Sequence, residues 1–181
     1  MAVLALVAVW AFAEAILFFI VADVPIMAIG IRLGLRRAIA AAGIAALAAA
    51  LGGLAMLEWV AQAPAASRAA LESLPGITPA LADRAIADWS RGGTMAMLAG
   101  AFSGVPYKLY AYAAGVEGAG AAGFFLASLG ARLPRFLLAA LVAGIAGPHL
   151  RRHLSPQVLW PLFIGCWAVF YAAYFLSLAH H

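Results

Sequence analysis

Charged residues are scarce in this sequence, and cysteine is almost absent. Asp, Glu, Lys and Arg together make up 10% of the 181 residues, whereas apolar residues make up 67%. Soluble domains are about 25% charged, so this composition excludes an ordinary soluble fold. The one cysteine, Cys166, excludes a disulfide framework within the chain and a cluster of thiolate metal ligands. We therefore interpret the chain as an integral membrane protein.

The sequence also has no basic stripe and no recognisable catalytic or metal-binding motif. Its net charge is +4, but the Lys and Arg residues are scattered between apolar runs, which is not the pattern of a nucleic-acid-binding surface. An H-E-x-x-H motif, an aspartate-rich metal motif and a histidine inside a predicted span are all missing from the sequence. We therefore predict no enzyme activity, no metal, no cofactor and no nucleic-acid partner.

The apolar residues form runs separated by proline, glycine or charged residues. The first run, residues 1–22, lacks the basic start and polar cleavage region of a signal peptide, so we predict a retained helix. Asp23-Val24-Pro25 closes this run, because proline disfavours helix at the residue before it. The next arm, 25–35, extends only about 16 Å as a helix and is too short to cross about 30 Å of hydrocarbon. We therefore expect it to turn back inside the membrane, with Pro25 as the hairpin break.

The same order of elements occurs again in the second half of the chain. Two apolar arms, 94–102 and 107–115, flank a hairpin break at Pro106, and each half continues into a long apolar run. Such repetition is typical of transporters built from inverted repeats. We therefore predict an all-α integral membrane protein with two inverted repeats, each a re-entrant helical hairpin followed by a long transmembrane helix. The predicted parts of this single membrane domain are 1–60 for the first repeat, 61–92 for a linker, 93–147 for the second repeat and 157–178 for a final transmembrane helix.

The linker and the basic residues indicate how the chain is oriented. Thr78 and Pro79 are a typical N-cap and first residue of a helix, and the residues after them predict an amphipathic helix on the membrane surface. Basic residues stand at the start of the first long run and in a connector, 147–156, after the second: Arg32, Arg36, Arg37, Arg151 and Arg152. The positive-inside rule places both basic clusters on the cytoplasmic side.

Five ionisable residues lie inside apolar runs, where each costs about 2.5–3.5 kcal/mol unless it is paired or hydrated. They are Glu14, Asp23, Lys108, Arg132 and Arg135. Both acids lie in the first repeat and all three cations in the second, so one interpretation is that they pair and only hold the halves together. The other is a midplane cavity in which the cations hold an anionic headgroup such as phosphate and an acid takes up a proton. Tyr107 is a candidate for the cavity lining, although aromatic residues near membrane helices more often pack or anchor.

Three segments carry a family resemblance: "EAILFFIVADVPIMAIGIRLGLRRA", "GVPYKLYAYAAGV" and "FFLASLGARLPRFLLAALV". Together they resemble the DedA superfamily, also called the SNARE-associated or VTT superfamily, and most closely its YqaA-like branch, over roughly residues 13–146. The resemblance implies a multi-pass protein of the bacterial inner membrane, with two oppositely oriented re-entrant hairpins around a polar centre. It also implies an activity in moving undecaprenyl phosphate or phospholipids between leaflets. This chain departs from better-known members because it has Lys108 and no arginine ahead of Pro106, which leaves the substrate open.

These observations predict a flippase-like or scramblase-like transporter whose partners are protons and membrane lipids with an anionic phosphate headgroup. The predicted substrate-binding residues are Arg132, Arg135, Lys108 and Tyr107. Either Asp23 or Glu14 is predicted to couple transport to protons. Two alternatives stay open: a proton-coupled antiporter for cations or drugs, and a membrane structural or assembly factor without transport. Whether the chain forms a homo-oligomer also stays open.

Overall fold

The chain is a helical membrane protein. The computed structural model describes residues 2–179, together with their side chains except those of 101–103 and 177–179. This range contains nine helices and no strand, which confirms the all-α prediction. The helices are α1 (Ala2–Ile16), α2 (Asp23–Leu33), α3 (Leu35–Gln62), α4 (Pro64–Glu72), α5 (Pro79–Gly92), α6 (Thr94–Ser103), α7 (Tyr107–Val116), α8 (Ala121–His153) and α9 (Pro156–Ala179).

Helices of two length classes follow one another along the chain. Helices α3, α8 and α9 are long and apolar enough to cross a membrane. Helices α1, α2, α6 and α7 have 15, 11, 10 and 10 residues. At about 1.5 Å per residue they reach about 15–22 Å, so none of them alone crosses about 30 Å of hydrocarbon. Half-length helices therefore precede each of the long helices α3 and α8.

Close packing of α3 against α1 and α8 depends on its small residues. A Cβ atom added at Gly52 would lie 2.6 Å from the carbonyl oxygen of Phe12 in α1. One added at Gly53 would lie 2.9 Å from Cε1 of Phe124 in α8. Glycine is required at both positions because the neighbouring atoms occupy the space that any larger residue needs, as is common between membrane helices.

Glycines also bring α8 against α2 and against the first residue of α3. A Cβ atom at Gly144 would lie 2.7 Å from Cα of Leu35, and one at Gly147 would lie 2.8 Å from Cα of Ile31. At the same end of the bundle, a guanidinium nitrogen of Arg151 donates to the carbonyl oxygen of Ile31. This contact places the basic cluster that follows Ile31 and the basic cluster at Arg151 at the same end of the molecule. The positive-inside rule requires this arrangement if both clusters lie on one side of a membrane.

The break in the first half lies earlier than predicted. Helix α1 ends at Ile16 and the irregular segment is 17–22, so Pro25 lies in the first turn of α2 and not in the break. Proline is tolerated there because the first N–H groups of a helix have no helical partner. In the second half, Pro106 does precede the short helix α7, and Gly104 adopts the left-handed conformation with φ of 83°.

The connector after the second long run is also shorter than predicted. Helix α8 continues through Pro148 to His153, so only Leu154 and Ser155 separate it from α9. Packing of Gly147 on Ile31 in α2 and of Gly144 on Leu35 in α3 outweighs the one backbone hydrogen bond that Pro148 removes.

The linker holds two helices where the sequence predicted one. The predicted helix is α5, and Oγ1 of its N-cap Thr78 accepts a hydrogen bond from the N–H of Leu81 at 3.2 Å. The additional helix α4 begins at Pro64, a position for which proline is well suited. Arg68 joins the two helices, with nitrogen–oxygen distances of 2.7 Å to Glu72 and 2.8 Å to Asp83.

Candidate functional site

Two ion pairs connect the short helices of the first half to α8. Glu14 in α1 accepts from a guanidinium nitrogen of Arg132, and both side chains are buried. Asp23 at the start of α2 accepts from Arg135 at 2.5 Å. The Asp23 side chain is 8% exposed and that of Arg135 is 32% exposed, so the second pair lies nearer the surface. The predicted pairing of acids from one half with cations from the other is confirmed for these four residues.

Lys108 is the third cation of this cluster, and neither of these two ion pairs includes it. Its side chain is buried, and Nζ donates to the carbonyl oxygen of Phe18 at 2.6 Å. Among the described side chains, no carboxylate lies within 4 Å of Nζ. The cluster of three cations and two acids therefore carries one positive charge that no acidic side chain balances.

Aromatic and hydroxyl groups hold Arg132 in place. Its guanidinium carbon lies 4.8 Å from the ring centres of both Tyr107 and Phe136. Tyr107 in turn donates to the hydroxyl oxygen of Ser128 at 2.7 Å. Nε of Arg132 is buried without a hydrogen-bond partner in the described part of the chain. Since a buried guanidinium nitrogen without a partner costs free energy, this donor gains an acceptor when a ligand in the adjoining cavity displaces the side chains that cover it.

A cavity of about 510 Å³ opens beside the cluster. Glu14, Lys108, Arg132 and Arg135 line it, together with Tyr107. The other walls come from the loop after α4, from α6 and from α9, and include Pro75, Met97, Phe170, Tyr171 and Tyr174. The volume lies within the range of about 300–1,000 Å³ that small-molecule sites occupy. Guanidinium and ammonium donors at its wall are the groups that bind phosphate or carboxylate oxygens.

The irregular segment 17–22 contributes to the same region through its backbone. Three side chains from elsewhere satisfy its polar groups. Trp10 Nε1 donates to the carbonyl oxygen of Ile20 at 3.0 Å, and the hydroxyl of Tyr171 accepts from the N–H of Val21 at 2.8 Å. Lys108 provides the third contact, to Phe18. Because unpaired backbone groups are costly at membrane depth, these contacts make a non-helical segment tolerable beside the cavity.

The structure brings together most of the predicted site residues. Lys108, Arg132, Arg135, Glu14 and Tyr107 share the cavity wall, and Pro106 also borders it. Asp23 contacts Arg135 but does not line the cavity, and Pro25 lies outside it.

Sequence reasoning missed two contributors to the site. Ser128, which accepts the hydrogen bond from Tyr107, is one of them. It lies four residues before Arg132, and this spacing on a helix would have indicated that the two side chains share a face. The aromatic face of α9, with Phe170, Tyr171 and Tyr174, also lines the cavity. Its spacing predicted a membrane helix but not where that helix would pack.

Comparison with known proteins adds no assignment. No protein-family model, curated protein or solved structure matches the chain. Within the described residues, no group of three or more His, Cys, Asp or Glu side chains is arranged to hold a metal ion. The site is therefore interpreted from its own geometry and charge.

Proposed function

We propose that this protein moves lipids with a phosphate headgroup between the two leaflets of a membrane. The observation that carries the proposal is the excess positive charge of the buried cluster at the cavity wall. Within the described part of the chain, Lys108 has no carboxylate partner within 4 Å, and Nε of Arg132 has no hydrogen-bond partner, although both side chains are buried. A headgroup with one negative charge balances this excess and accepts both sets of donors.

The arrangement of helices supports transport more than static binding. Half-length helices stand beside the cavity from both halves of the chain, as the proposed pair of inverted re-entrant hairpins requires. Arg132 lies about 16 Å along α8 from Ala121, or roughly half of the hydrocarbon thickness. In this proposal the headgroup crosses the membrane through the cavity, while the hydrocarbon part stays outside this charged space.

The proposal extends to membership of the DedA superfamily and to the bacterial inner membrane, both on the sequence resemblance described above. Protons are the proposed coupling ion. Glu14 is the better candidate for the proton-accepting group, because it lines the cavity whereas Asp23 does not. Protonation of Glu14 would release Arg132 to bind the phosphate, which links the proton to the lipid.

The test is lipid transfer in vesicles of phosphatidylcholine that contain a small amount of fluorescent phosphatidylglycerol. Dithionite bleaches the dye in the outer leaflet, so transfer appears as bleaching beyond that of protein-free vesicles. We expect transfer by the wild-type protein and a loss of about tenfold or more in Lys108→Met, since a hydrogen bond to a charged group contributes about 1.5–3 kcal/mol. Lys108→Arg should retain most of the activity.

The matched control is Arg91→Gln, which removes one positive charge from an exposed position on α5. The Arg91 side chain is 74% exposed and does not line the cavity. It should transfer lipid at the wild-type rate. Wild-type vesicles that bleach no more than empty ones, or a folded Lys108→Met protein with full transfer, contradict the proposal. Proton movement on addition of a cation, without lipid transfer, would favour an antiporter instead.

A further inference from the structure

A second, mostly apolar groove lies between α2, α8 and α9. Its volume is about 620 Å³. Aliphatic and aromatic side chains form nearly all of its wall: Met27, Ile31, Leu138, Val142, Leu162 and Trp167. The charged residues that line it are Asp23 and Arg135, which form the ion pair described above. The groove is therefore amphipathic, with one charged region and an extended apolar remainder.

The groove and the charged cavity share part of their walls. Arg135 and Phe170 line both spaces. The Arg135 side chain is 32% exposed although it is paired with Asp23, so part of this side chain remains accessible to a ligand. A molecule with a negatively charged group in the cavity can therefore extend past Arg135 into the apolar groove.

We infer that this groove holds the hydrocarbon chain of the lipid whose phosphate headgroup occupies the cavity. The inference rests on the proposed function and makes the substrate class more specific: an amphiphile with one anionic headgroup and at least one chain held by protein. The argument for a lipid chain is charge complementarity at the shared wall. An apolar helix of a second protein copy would fill the groove but would offer no acceptor to Arg135.

The weak packing of α9 provides the means for a chain to enter. Only 6% of the apolar membrane-spanning stretch of α9 is buried, compared with 56% of that of α3. Between α9 and segment 17–22, the hydroxyl of Tyr171 accepts one hydrogen bond, from Val21. Displacement of α9 opens both the cavity and the groove, because the same helix lines both.

The test compares two tryptophan substitutions on α8. Val142 is 53% exposed and lines the groove, whereas Leu141 is 41% exposed and does not. Val142→Trp fills the groove and should reduce transfer of fluorescent phosphatidylglycerol about tenfold, while Leu141→Trp should stay within about twofold of wild type. Each variant is checked for folding by its elution and thermal unfolding in detergent.

A photoreactive lipid gives a second readout that does not depend on transport. Phosphatidylglycerol with a diazirine in the middle of one acyl chain should form adducts on groove residues such as Leu162 and Cys166. Val142→Trp should abolish these adducts, and Leu141→Trp should not. Diacylglycerol with the same labelled chain should give no enrichment in the groove, because it lacks the anionic group that Arg135 binds.

The outcomes separate this inference from the proposed function. If the wild type transfers lipid but Val142→Trp behaves like Leu141→Trp and the adducts are spread over the outer surface, the groove assignment is overturned and the proposed function stands. If oxidation joins Cys166 of two copies and no groove adducts form, a second copy occupies the groove and the inference is overturned. If the wild type transfers no lipid, both are overturned.

Discussion

The buried pair between Glu14 and Arg132 provides a stability test of the charged centre. We consider Glu14→Gln, Arg132→Met and the double variant. Arg132 has 5% and Glu14 has 7% of its side chain exposed, so either charge is poorly hydrated once its partner is removed. Glu14→Gln should therefore lower the free energy of unfolding by about 3–5 kcal/mol, as expected when one partner of a buried pair is lost.

The double variant should recover most of this loss. Without either charge, neither position 14 nor position 132 holds an unpaired ion, and Met fills the space between the rings of Tyr107 and Phe136. Replacement of a buried pair by apolar groups is often neutral, so we expect the double variant within about 1–2 kcal/mol of wild type. The same cycle on Asp23 and Arg135 should give a smaller coupling energy, because Arg135 is 32% exposed.

Unfolding in mixed detergent micelles, followed by circular dichroism, measures these differences. A matched control is Glu58→Gln, which removes an exposed charge that accepts a hydrogen bond from Gln62 and should change stability by less than about 1 kcal/mol. Additive effects of Glu14→Gln and Arg132→Met, with no recovery in the double variant, would refute the reasoning. Such a result would mean that the two groups do not interact in the folded protein.

Three further changes probe how the fold positions the site. Gly144→Leu should lower the free energy of unfolding by about 3 kcal/mol or more, because its Cβ atom would lie 2.7 Å from Cα of Leu35. Thermal unfolding measures this loss, and a variant as stable as the wild type would contradict the prediction. Tyr171→Phe should cost about 1–3 kcal/mol, since the Val21 N–H loses its acceptor, and hydrogen exchange at Val21 should become faster. Arg68→Gln should change the free energy of unfolding by less than about 1 kcal/mol, because the ion pairs of Arg68 with Glu72 and Asp83 are partly exposed. A larger loss would show that α4 and α5 depend on these ion pairs.

The sequence by itself determined the class of protein and the order of its membrane-spanning helices. Apolar runs long enough to span predicted α3, α8 and α9, and the Thr78-Pro79 pair marked the start of α5, because length, hydropathy and capping are local properties. The five charges inside apolar runs were also visible in the sequence, since such a charge is costly wherever it packs.

Only the tertiary structure decided where the helices break and which charges remain unbalanced. Segment 17–22 leaves the helix because distant side chains, including Lys108 and Tyr171, satisfy its backbone, and no local pattern encodes those partners. Pairing of Arg132 with Glu14 depends on how α1 and α8 pack. Of the three cations in the cluster, Lys108 is left without a carboxylate within 4 Å among the described side chains. The cavity and groove arise where α9 lies against α8. Both helices are apolar along most of their length, so hydropathy alone does not specify where they make contact.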